Sequence, residues 1–525
     1  MVFDLEGAGP IAGLDYDDDH VLHAPSLRFA VAGNPFRNDG EDNRRLITAV
    51  DAALALRGGA AGGSPDVEAL EINFVFSAGA NLYVHLPPRG RYVYGHAHAA
   101  DITSAHLATW LRFAARHVTG SFTLAVPVLP PGPEMKAVPE HMKKQRVVEL
   151  PAAARAETMS LTFGLARLAV PVAVAGAGYH ALGDLLLSRA HIEPGGADER
   201  NLSSLLSAAG CPRLRRLRLE YITGLAALRL DPAAAALEEV NLHYIGDLSS
   251  LELDAPGLRQ LRVTTCFGMY DDNATARISA PNLELLACNT LCIPDRLLFF
   301  HGVGSVRSLE KICLSSRISH DDHCKDGAIW LLQHCTAADS LDISLSPGQM
   351  KEGLDTEETM SRVPQLDNIT NLAIDVGPGK WHNLKATIAD LITKCSRLER
   401  LSIGICSAND SCSKPRCFCN GKDVEKISME HLREATITGY HSSKYHRSLV
   451  QFIMAGAPAL EKVTLELYVG KELHEDIPCD RGRWAPSVIE HYPKGARTTV
   501  YEWTADKKRE EEEEEGSDGF ILSKF

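Results

Sequence analysis

Apolar residues return in the phrase L-x-x-L-x-L along more than half of this chain. A clear copy is Leu214, Leu217 and Leu219 in "RLRRLRLEYI". The last two leucines alternate with polar residues, so they point to one side of a short strand, and the first leucine turns into the same core. One such unit cannot bury its apolar side alone, whereas stacked repeats give each leucine neighbours above and below. The other copies fall at Leu237, Val240 and Leu242; Leu258, Leu261 and Val263; Leu283 and Leu286; Leu309, Ile312 and Leu314; Leu341 and Ile343; Leu372 and Ile374; Leu398, Leu401 and Ile403; and Leu460, Val463 and Leu465.

This periodicity predicts an α/β leucine-rich-repeat solenoid, curved, with parallel strands on its concave face and a mixture of helix and strand on its convex side. The alternative is a conventional sandwich or α/β domain with leucine-rich strands. Such strands would not keep one phrase over about 250 residues. A solenoid offers an extended binding face more often than a reaction centre.

The spacing of the phrase changes along the chain. From Leu217 to Leu286 the strands come about 21–25 residues apart, with extra L-x-L pairs between them. These pairs, Leu228 with Leu230 and Leu251 with Leu253, predict strands on the second side as well. After Leu309 the period grows to about 26–34 residues, and the insertions carry apolar residues at three- and four-residue spacing, which predicts helices. Helical spacing is found in 325–335, 383–395 and 448–457, and upstream in 43–56 and 105–118, ahead of weaker strand phrases in 67–76 and 157–165.

Bulk composition is that of a globular protein, with 45% hydrophobic and 23% charged residues among 525. The formal net charge of −14 argues against nucleic acid as the main partner. The start lacks a basic segment followed by an apolar core, and the most apolar stretch, 166–187, contains Pro171 and His180. We therefore expect no membrane partner and a cytoplasmic or nuclear location. Thirteen cysteines lie at no framework spacing, and those at repeat positions are predicted to be buried thiols: Cys211, Cys266, Cys288 and Cys313.

Composition also predicts the domain organisation. Residues 1–24 are rich in Gly and Asp and are expected to be flexible, and 503–525 form a charged tail, containing Glu510–Glu515, that is expected to be disordered. Between them we predict the solenoid over 25–405, a C-terminal group of repeats over 406–470 and an extension over 471–502.

No catalytic motif stands in the chain: we find no G-x-S-x-G, no G-x-x-x-x-G-K-[ST], no H-E-x-x-H and no kinase set. We therefore predict no catalytic residue and no cofactor. Thiolates as close as Cys412, Cys417 and Cys419, with Cys406 upstream, could hold zinc, but their spacing matches no structural zinc site, and a surface loop is the preferred interpretation. We interpret a second cluster as the start of a helix: His320, Asp321, Asp322, His323 and Cys324. We interpret His96 and His98 as part of a polar loop. Purified protein is expected to hold no stoichiometric zinc.

The residues between the repeat leucines point away from the core and are free to be selected for a partner. They predict a protein-binding surface made of Arg216, Arg218, Asn241, His243, Gln260, Arg262 and Thr264. Glu239 lies beside them, and Lys311, Asp342, Arg400 and Ser402 continue the series. The arginines indicate either a basic stripe for acidic or phosphorylated protein segments or an ordinary solvated face.

The middle of the chain resembles the leucine-rich-repeat region of plant F-box proteins, in "CPRLRRLRLEYITGLAALRLD", "DLSSLELDAPGLRQLRV" and "APNLELL". Residues 417–467 resemble the FBD region that closes many of these proteins. The matching features are Cys417 and Cys419 in a loop, the strand Leu432 to Ile437, Gly439, the helix Leu449 to Met454, and Ala457 to Lys462 in "APALEK". The stretch "APSLRFAVAGNPF" is similar to the segment that follows the F-box.

The resemblance implies a substrate-recognition subunit of an SCF-type ubiquitin ligase that binds a partner protein on the repeat face. It also implies an F-box that docks the Skp adaptor, but the 24 residues before Pro25 carry none of its helices. We therefore expect no measurable binding of the Skp adaptor by this chain alone. The alternatives are a small-molecule receptor that holds a ligand in the solenoid and an enzyme with a dispersed site.

Overall fold

A computed structural model describes the repeat strands and most of their connecting elements. The described residues are 2–4, 23–30, 41–59, 66–74, 102–126, 147–171, 178–192, 202–231, 236–267, 274–289, 297–314, 323–345, 360–377, 384–405, 427–440, 444–467, 484–491 and 498–505. The cysteine loop Cys406–Cys419, the histidines His96 and His98, and residues 319–322 lie outside these ranges. So do most of 1–24 and of the acidic tail.

The chain divides into two compact units. Unit 1 comprises Met1–Asn282 and Arg296–His301, and unit 2 comprises Leu283–Asp295 and Gly302–Phe525. The border at Asn282 falls inside the region predicted as one solenoid, and the predicted domain limits remain predictions.

The main sheet of unit 1 contains the repeat strands, and in the clearest of them, Arg216–Glu220 and Glu239–His243, every second residue is buried, as the alternation requires. The strands of this sheet are β1 (Val2–Asp4), β2 (Ser26–Ala30), β3 (Val67–Asn73), β4 (Val118–Ala125), β5 (Val147–Glu149), β6 (Thr158–Ala169), β7 (Asp184–His191), β8 (Arg216–Glu220), β10 (Glu239–His243) and β12 (Gln260–Thr264). From β2 onward the pairings are parallel, in the order β2–β3–β4–β6–β7–β8–β10–β12, with β5 beside the second half of β6. β1 pairs with β2 in the antiparallel sense.

A second parallel sheet in unit 1 is formed by the half-period L-x-L pairs. Its strands are β9 (Ala227–Leu230), β11 (Ser250–Asp254), β13 (Thr275–Ser279) and β15 (Leu297–His301). Leu228 and Leu230 are buried, as are Leu251 and Leu253, so these pairs close the core from the second side. The predicted strands on that side are confirmed.

Two helices of unit 1 occupy the segments that showed helical spacing: α1 (Glu41–Gly59) and α2 (Ser104–His117). Thr103 caps α2, because its hydroxyl accepts the N–H of His106 at 3.3 Å while the His106 ring accepts the N–H of Thr103 at 3.2 Å. The buried Trp110 of α2 donates its indole N–H to Asp51 of α1 at 2.7 Å, which ties the two helices together.

Unit 2 contains one sheet whose repeat strands are parallel. The strands are β14 (Leu285–Cys288), β16 (Ser308–Cys313), β17 (Ser340–Leu345), β18 (Asn371–Val376), β19 (Arg400–Ile405), β20 (Glu434–Tyr440), β21 (Lys462–Leu467), β22 (Trp484–His491) and β23 (Thr498–Ala505). β14 to β21 pair in chain order without β15, and β23 and β22 follow as antiparallel neighbours. The helices are α3 (His323–His334), α4 (Leu384–Thr393) and α5 (Lys444–Gly456), with a 3-10 helix at Val303–Ser305. All three helical segments were predicted.

The repeat leucines form the core of each unit. Leu217, Leu261 and Leu401 are each at most 2% exposed. Cys211, Cys266 and Cys288 are buried as predicted, whereas Cys313 is only half-buried, because it lies at the outward-facing end of β16. Burial raises the pKa of Cys211, Cys266, Cys335 and Cys395 to about 12, so these thiols stay protonated at neutral pH.

The parallel repeat strands confirm the predicted α/β leucine-rich-repeat solenoid class for both units. In the middle of unit 1 a repeat carries two strands, and in unit 2 it carries one strand, with a helix before several of the strands. No helix in the described part of the chain is long and apolar enough to cross a membrane.

Candidate protein-binding face

The predicted binding residues share the outward side of three neighbouring strands in unit 1. Parallel pairing of β7, β8, β10 and β12 aligns their outward residues in three rows. The first row is Asp184, Arg216, Glu239 and Gln260; the second is Leu186, Arg218, Asn241 and Arg262; the third is Ser188, Glu220, His243 and Thr264. All seven residues predicted from the sequence therefore lie on one face, which we term the row face.

An ion pair joins the first row to the strand before it. Arg216 donates from Nε and Nη2 to the two carboxylate oxygens of Asp184, both at 2.5 Å. This bidentate bond raises the pKa of Arg216 above its usual value. The Arg216 side chain is 51% exposed, so the pair adds little stability, but it fixes the direction of the guanidinium. Asp184 was missed at the sequence level, because the strand Asp184–His191 does not carry the full repeat phrase.

The other two arginines of the face also have polar neighbours. Arg218 Nη2 lies 4.0 Å from a carboxylate oxygen of Glu239, and Arg262 Nη1 donates to Gln260 Oε1 at 2.9 Å. Positive and negative groups therefore alternate across the rows. A partner meets a mixed array of charges rather than a uniform basic stripe.

The third row contains His243, whose imidazole ring is held by a hydrogen bond within the row. His243 Nδ1 lies 2.6 Å from the hydroxyl of Thr264, which is only 6% exposed. Thr264 therefore orients His243 and offers little contact area of its own, although the alternation had placed it on the binding surface.

One backbone turn recurs in four neighbouring repeats of unit 1, directly after the third row. Arg189, Tyr221, Tyr244 and Thr265 follow the third row directly, and each has φ of 54°. The N–H of Tyr221 donates to the carbonyl of His243 at 2.8 Å, and the N–H of Tyr244 donates to that of Thr264 at 3.0 Å. The turn brings the next residue of each strand back into the core, and these residues are Ala190, Ile222, Ile245 and Cys266.

The side chains at this turn form a stack along one edge of the face. The Arg189 guanidinium carbon lies 4.5 Å from the centre of the Tyr221 ring. The Tyr221 and Tyr244 rings are 4.9 Å apart and nearly parallel, at 9°. His243 meets both tyrosines edge-on, at 5.4 and 4.7 Å. We term Arg189, Tyr221, Tyr244 and Thr265 the edge ladder. Its sequence signal is an aromatic residue before an isoleucine at the same repeat position, in "EYI" and "HYI", and our sequence reasoning missed it.

The residues predicted to continue the surface lie in unit 2. Asp342, Ala373, Ser402, Thr436 and Thr464 are aligned in one row of its sheet. Arg400 lies in the adjacent row beside Glu434. Lys311 sits at a bulge with φ of 58°. Burial, followed by the charge of Asp375, raises the pKa of Asp342.

A cleft in unit 2 bears on the small-molecule alternative. Its volume is about 290 Å³, and its walls include Ile392, Cys395, Leu398, Met429 and His431. Ligand pockets usually measure about 300–1,000 Å³ and enclose most of the ligand. The cleft therefore falls at the lower limit for a receptor.

The described residues include only some of the side chains that were considered as metal ligands. Among them, no group of three or more His, Cys, Asp or Glu side chains is arranged to hold an ion. The cysteine cluster and most of the His320–Cys324 segment lie outside the described ranges.

Comparison with known proteins identifies a plant relative of this chain. No family model matches the chain. The chain is 28% identical over 318 residues to an F-box/FBD/LRR-repeat protein of Arabidopsis thaliana, and the match covers 56% of this chain. The chain spans about 60% of the length of that curated relative. The match confirms the resemblance predicted from the repeat phrases and from "APALEK": the chain is similar to the F-box proteins of plants that carry leucine-rich repeats and an FBD region.

Proposed function

We propose that this protein is a protein-interaction module that recognises a partner protein on the row face of unit 1. The observation that carries the proposal is the register of β8, β10 and β12, which aligns long polar side chains in rows over a continuous strand surface. Long side chains with fixed directions give a surface specificity for one arrangement of charges.

The resemblance supports a finer assignment. The relative is named an F-box/FBD/LRR-repeat protein. The resemblance to that family implies recruitment of substrates to an SCF-type ubiquitin ligase. We propose that the row face performs this recognition step. The alternation of Arg216, Arg218 and Arg262 with Asp184 and Glu239 favours a partner segment with acidic groups opposite the arginines and basic groups opposite the acids.

Two features of the described residues lend the alternatives little support. The unit 2 cleft lies at the lower limit of volume for a ligand pocket. The buried thiols of Cys211, Cys266, Cys335 and Cys395 have raised pKa values, so they are poor nucleophiles at neutral pH.

The test is a charge reversal on the row face. Partners are first captured from native tissue and identified, and the dissociation constant of the purified partner is then measured by calorimetry. We expect the triple variant Arg216→Glu, Arg218→Glu and Arg262→Glu to abolish partner binding, because it places like charges beside Asp184 and Glu239 and beneath the acids of the partner. The thermal melt should stay close to that of the unaltered protein, because Arg216 and Arg218 are exposed, Arg262 is half-buried, and exposed ion pairs contribute little to stability.

A matched control distinguishes the effect of the row face on binding from the effect of the net charge. Three exposed arginines lie off the row face: Arg112 of α2, and Arg229 and Arg277 of the second sheet. Reversing these three arginines to Glu changes the net charge by the same amount and should leave the dissociation constant within about threefold. Undiminished binding by the row-face variant would move the site to another surface, with the C-terminal repeats as the next candidate.

A further inference from the structure

The edge ladder places four consecutive repeats in a backbone conformation that L-residues avoid. Arg189, Tyr221, Tyr244 and Thr265 all have φ of 54°, and none of them is glycine. The left-handed conformation is unfavourable for a residue that carries a Cβ, because the Cβ approaches the following carbonyl oxygen. Strain of this kind persists where the fold imposes it and tends to gather at sites that bind. Here it turns four successive side chains toward the same edge.

The spacing of the ladder is that of the strands. Neighbouring strands lie roughly 4.7–4.9 Å apart, and the Tyr221 and Tyr244 rings stand 4.9 Å apart. One flat group therefore fits in each repeat. The first position holds the guanidinium of Arg189, 4.5 Å from Tyr221, and the second and third hold the tyrosine rings.

The fourth position has a short side chain. Thr265 takes the place that a tyrosine takes in the two repeats before it, and threonine cannot reach as far as the rings. Tyr244 is 43% exposed. Among the described residues, Tyr221 and His243 are the ring neighbours of Tyr244, and neither covers its second broad side. The broad side of the Tyr244 ring that is turned away from Tyr221 is therefore the exposed one, and we term the space against it, at the repeat of Thr265, the slot.

We infer that this slot takes an arginine side chain of a partner protein, an inference that rests on the proposed function of protein binding and specifies part of its contact. The molecule itself supplies the template: a guanidinium already lies on the opposite end of the stack, at Arg189. A second guanidinium over Tyr244 would continue the series with the same chemistry. Arginine suits the slot better than lysine because its planar group stacks on a ring.

The charge of the chain agrees with a basic partner segment. The formal net charge of −14 attracts positively charged segments over long range and raises their rate of encounter. Glu220 ends β8 and directly precedes Tyr221, so a carboxylate also lies in the row next to the ladder.

The test uses N-acetylarginine amide as the probe, with saturation-transfer NMR to measure weak binding. N-acetylcitrulline amide has the same shape without the charge, and N-acetyl-lysine amide has the charge without the plane. We expect the arginine probe to bind most tightly. Tyr244→Ala should weaken it roughly two- to fivefold, the factor expected for one exposed cation–π contact, and Tyr244→Phe should retain it.

A second variant fills the slot from within. Thr265→Arg should place a guanidinium on Tyr244, as Arg189 does on Tyr221, and reduce the probe signal to the level of Tyr244→Ala. Thr265→Gln, of intermediate length and without charge, should keep the signal. Should Tyr244→Ala fail to fold by circular dichroism, Thr265→Arg and Thr265→Gln carry the test, because they leave the stacked rings in place.

Equal binding of the arginine and citrulline probes, or an arginine signal that is unchanged in both Tyr244→Ala and Thr265→Arg, would overturn the slot. If partner binding is still lost in the row-face variant, the proposed function survives that result. Conversely, if the row-face variant still binds the partner while Tyr244→Ala loses the probe, the slot stands and the row face is wrong.

Discussion

The two units use one strand phrase and differ in how the chain returns between strands. In unit 1, β8, β10 and β12 begin 23 and 21 residues apart, and the return path is a strand of the second sheet. In unit 2, β16, β17 and β18 begin 32 and 31 residues apart. α3 lies on the path between β16 and β17. A short period leaves room only for an extended segment, whereas a longer one accommodates a helix with its turns.

The outward faces differ as well. The middle row of unit 1 carries Leu186, Arg218, Asn241 and Arg262, whereas the middle row of unit 2 carries Asp342, Ala373, Ser402, Thr436 and Thr464. Long side chains can reach a partner and select it by charge, and short ones leave a smooth strand surface. The comparison teaches that the apolar phrase determines the stack, while the residues between the leucines determine what each unit presents.

The largest expected effect is the loss of unfolding free energy when a core leucine is truncated in each unit. Leu261→Ala in unit 1 and Leu401→Ala in unit 2 each leave a cavity in a close-packed stack, and each should cost about 2–5 kcal/mol in the free energy of unfolding. Hydrogen exchange measured by mass spectrometry should locate each loss in its own unit. An unchanged denaturation midpoint in either variant would mean that the leucine is not a core residue.

A smaller effect is expected at two glycines with positive φ. A methyl group at Gly224, with φ of 77°, would meet the carbonyl oxygen of Ile192, and one at Gly439, with φ of 71°, would meet that of Ile405. Each glycine-to-alanine change should therefore destabilise by at least about 1–2 kcal/mol. Gly246→Ala is the control, because its methyl group would meet nothing within 4 Å, and it should be neutral or stabilising by about 0.4–1 kcal/mol. Chemical denaturation compares the three, and equal midpoints would contradict the described turns.

The smallest effect concerns acid, which should act on the two units in opposite directions. Burial lowers the pKa of His117 and of His191 in unit 1. Their neutral forms are favoured in the folded state, so unit 1 should lose stability as pH falls below about 6.5. The pKa of Asp342 in unit 2 is raised by burial. Its contribution is present below about pH 3.8 and is lost as pH rises through the folded pKa, so acid favours unit 2.

Hydrogen exchange between pH 7 and pH 4, corrected for intrinsic rates, measures this contrast. His117→Gln with His191→Gln should remove the response of unit 1, and Asp342→Asn should remove that of unit 2. A loss of protection that is equal in the two units and insensitive to these substitutions would contradict the assignment.

Much of the fold follows from local pattern, and the rest depends on contacts between repeats. The alternation identified β8, β10 and β12, and helical spacing identified the helices named α1 to α5. β7 and β23 were missed, because "DLLLSRAH" has a run of three leucines and "TTVYEWTA" lacks the phrase. For the site, alternation identified the outward residues of the three strands. It could not identify Asp184 or the edge ladder, since an ion pair across strands and a turn with positive φ arise only when repeats stack.

The antiparallel strands have a consequence for self-association. A stack of parallel strands exposes at its margin a row of backbone donors and acceptors to which another copy could add, and continued addition would produce a fibre. β1 runs against β2, and β23 runs against both β21 and β22, so the described margin strand of each unit joins its sheet through an antiparallel ladder. Pro486 in β22 also lacks a backbone donor. In the described part of the chain, a further copy would therefore meet β1 or β22 at these margins rather than a repeat strand.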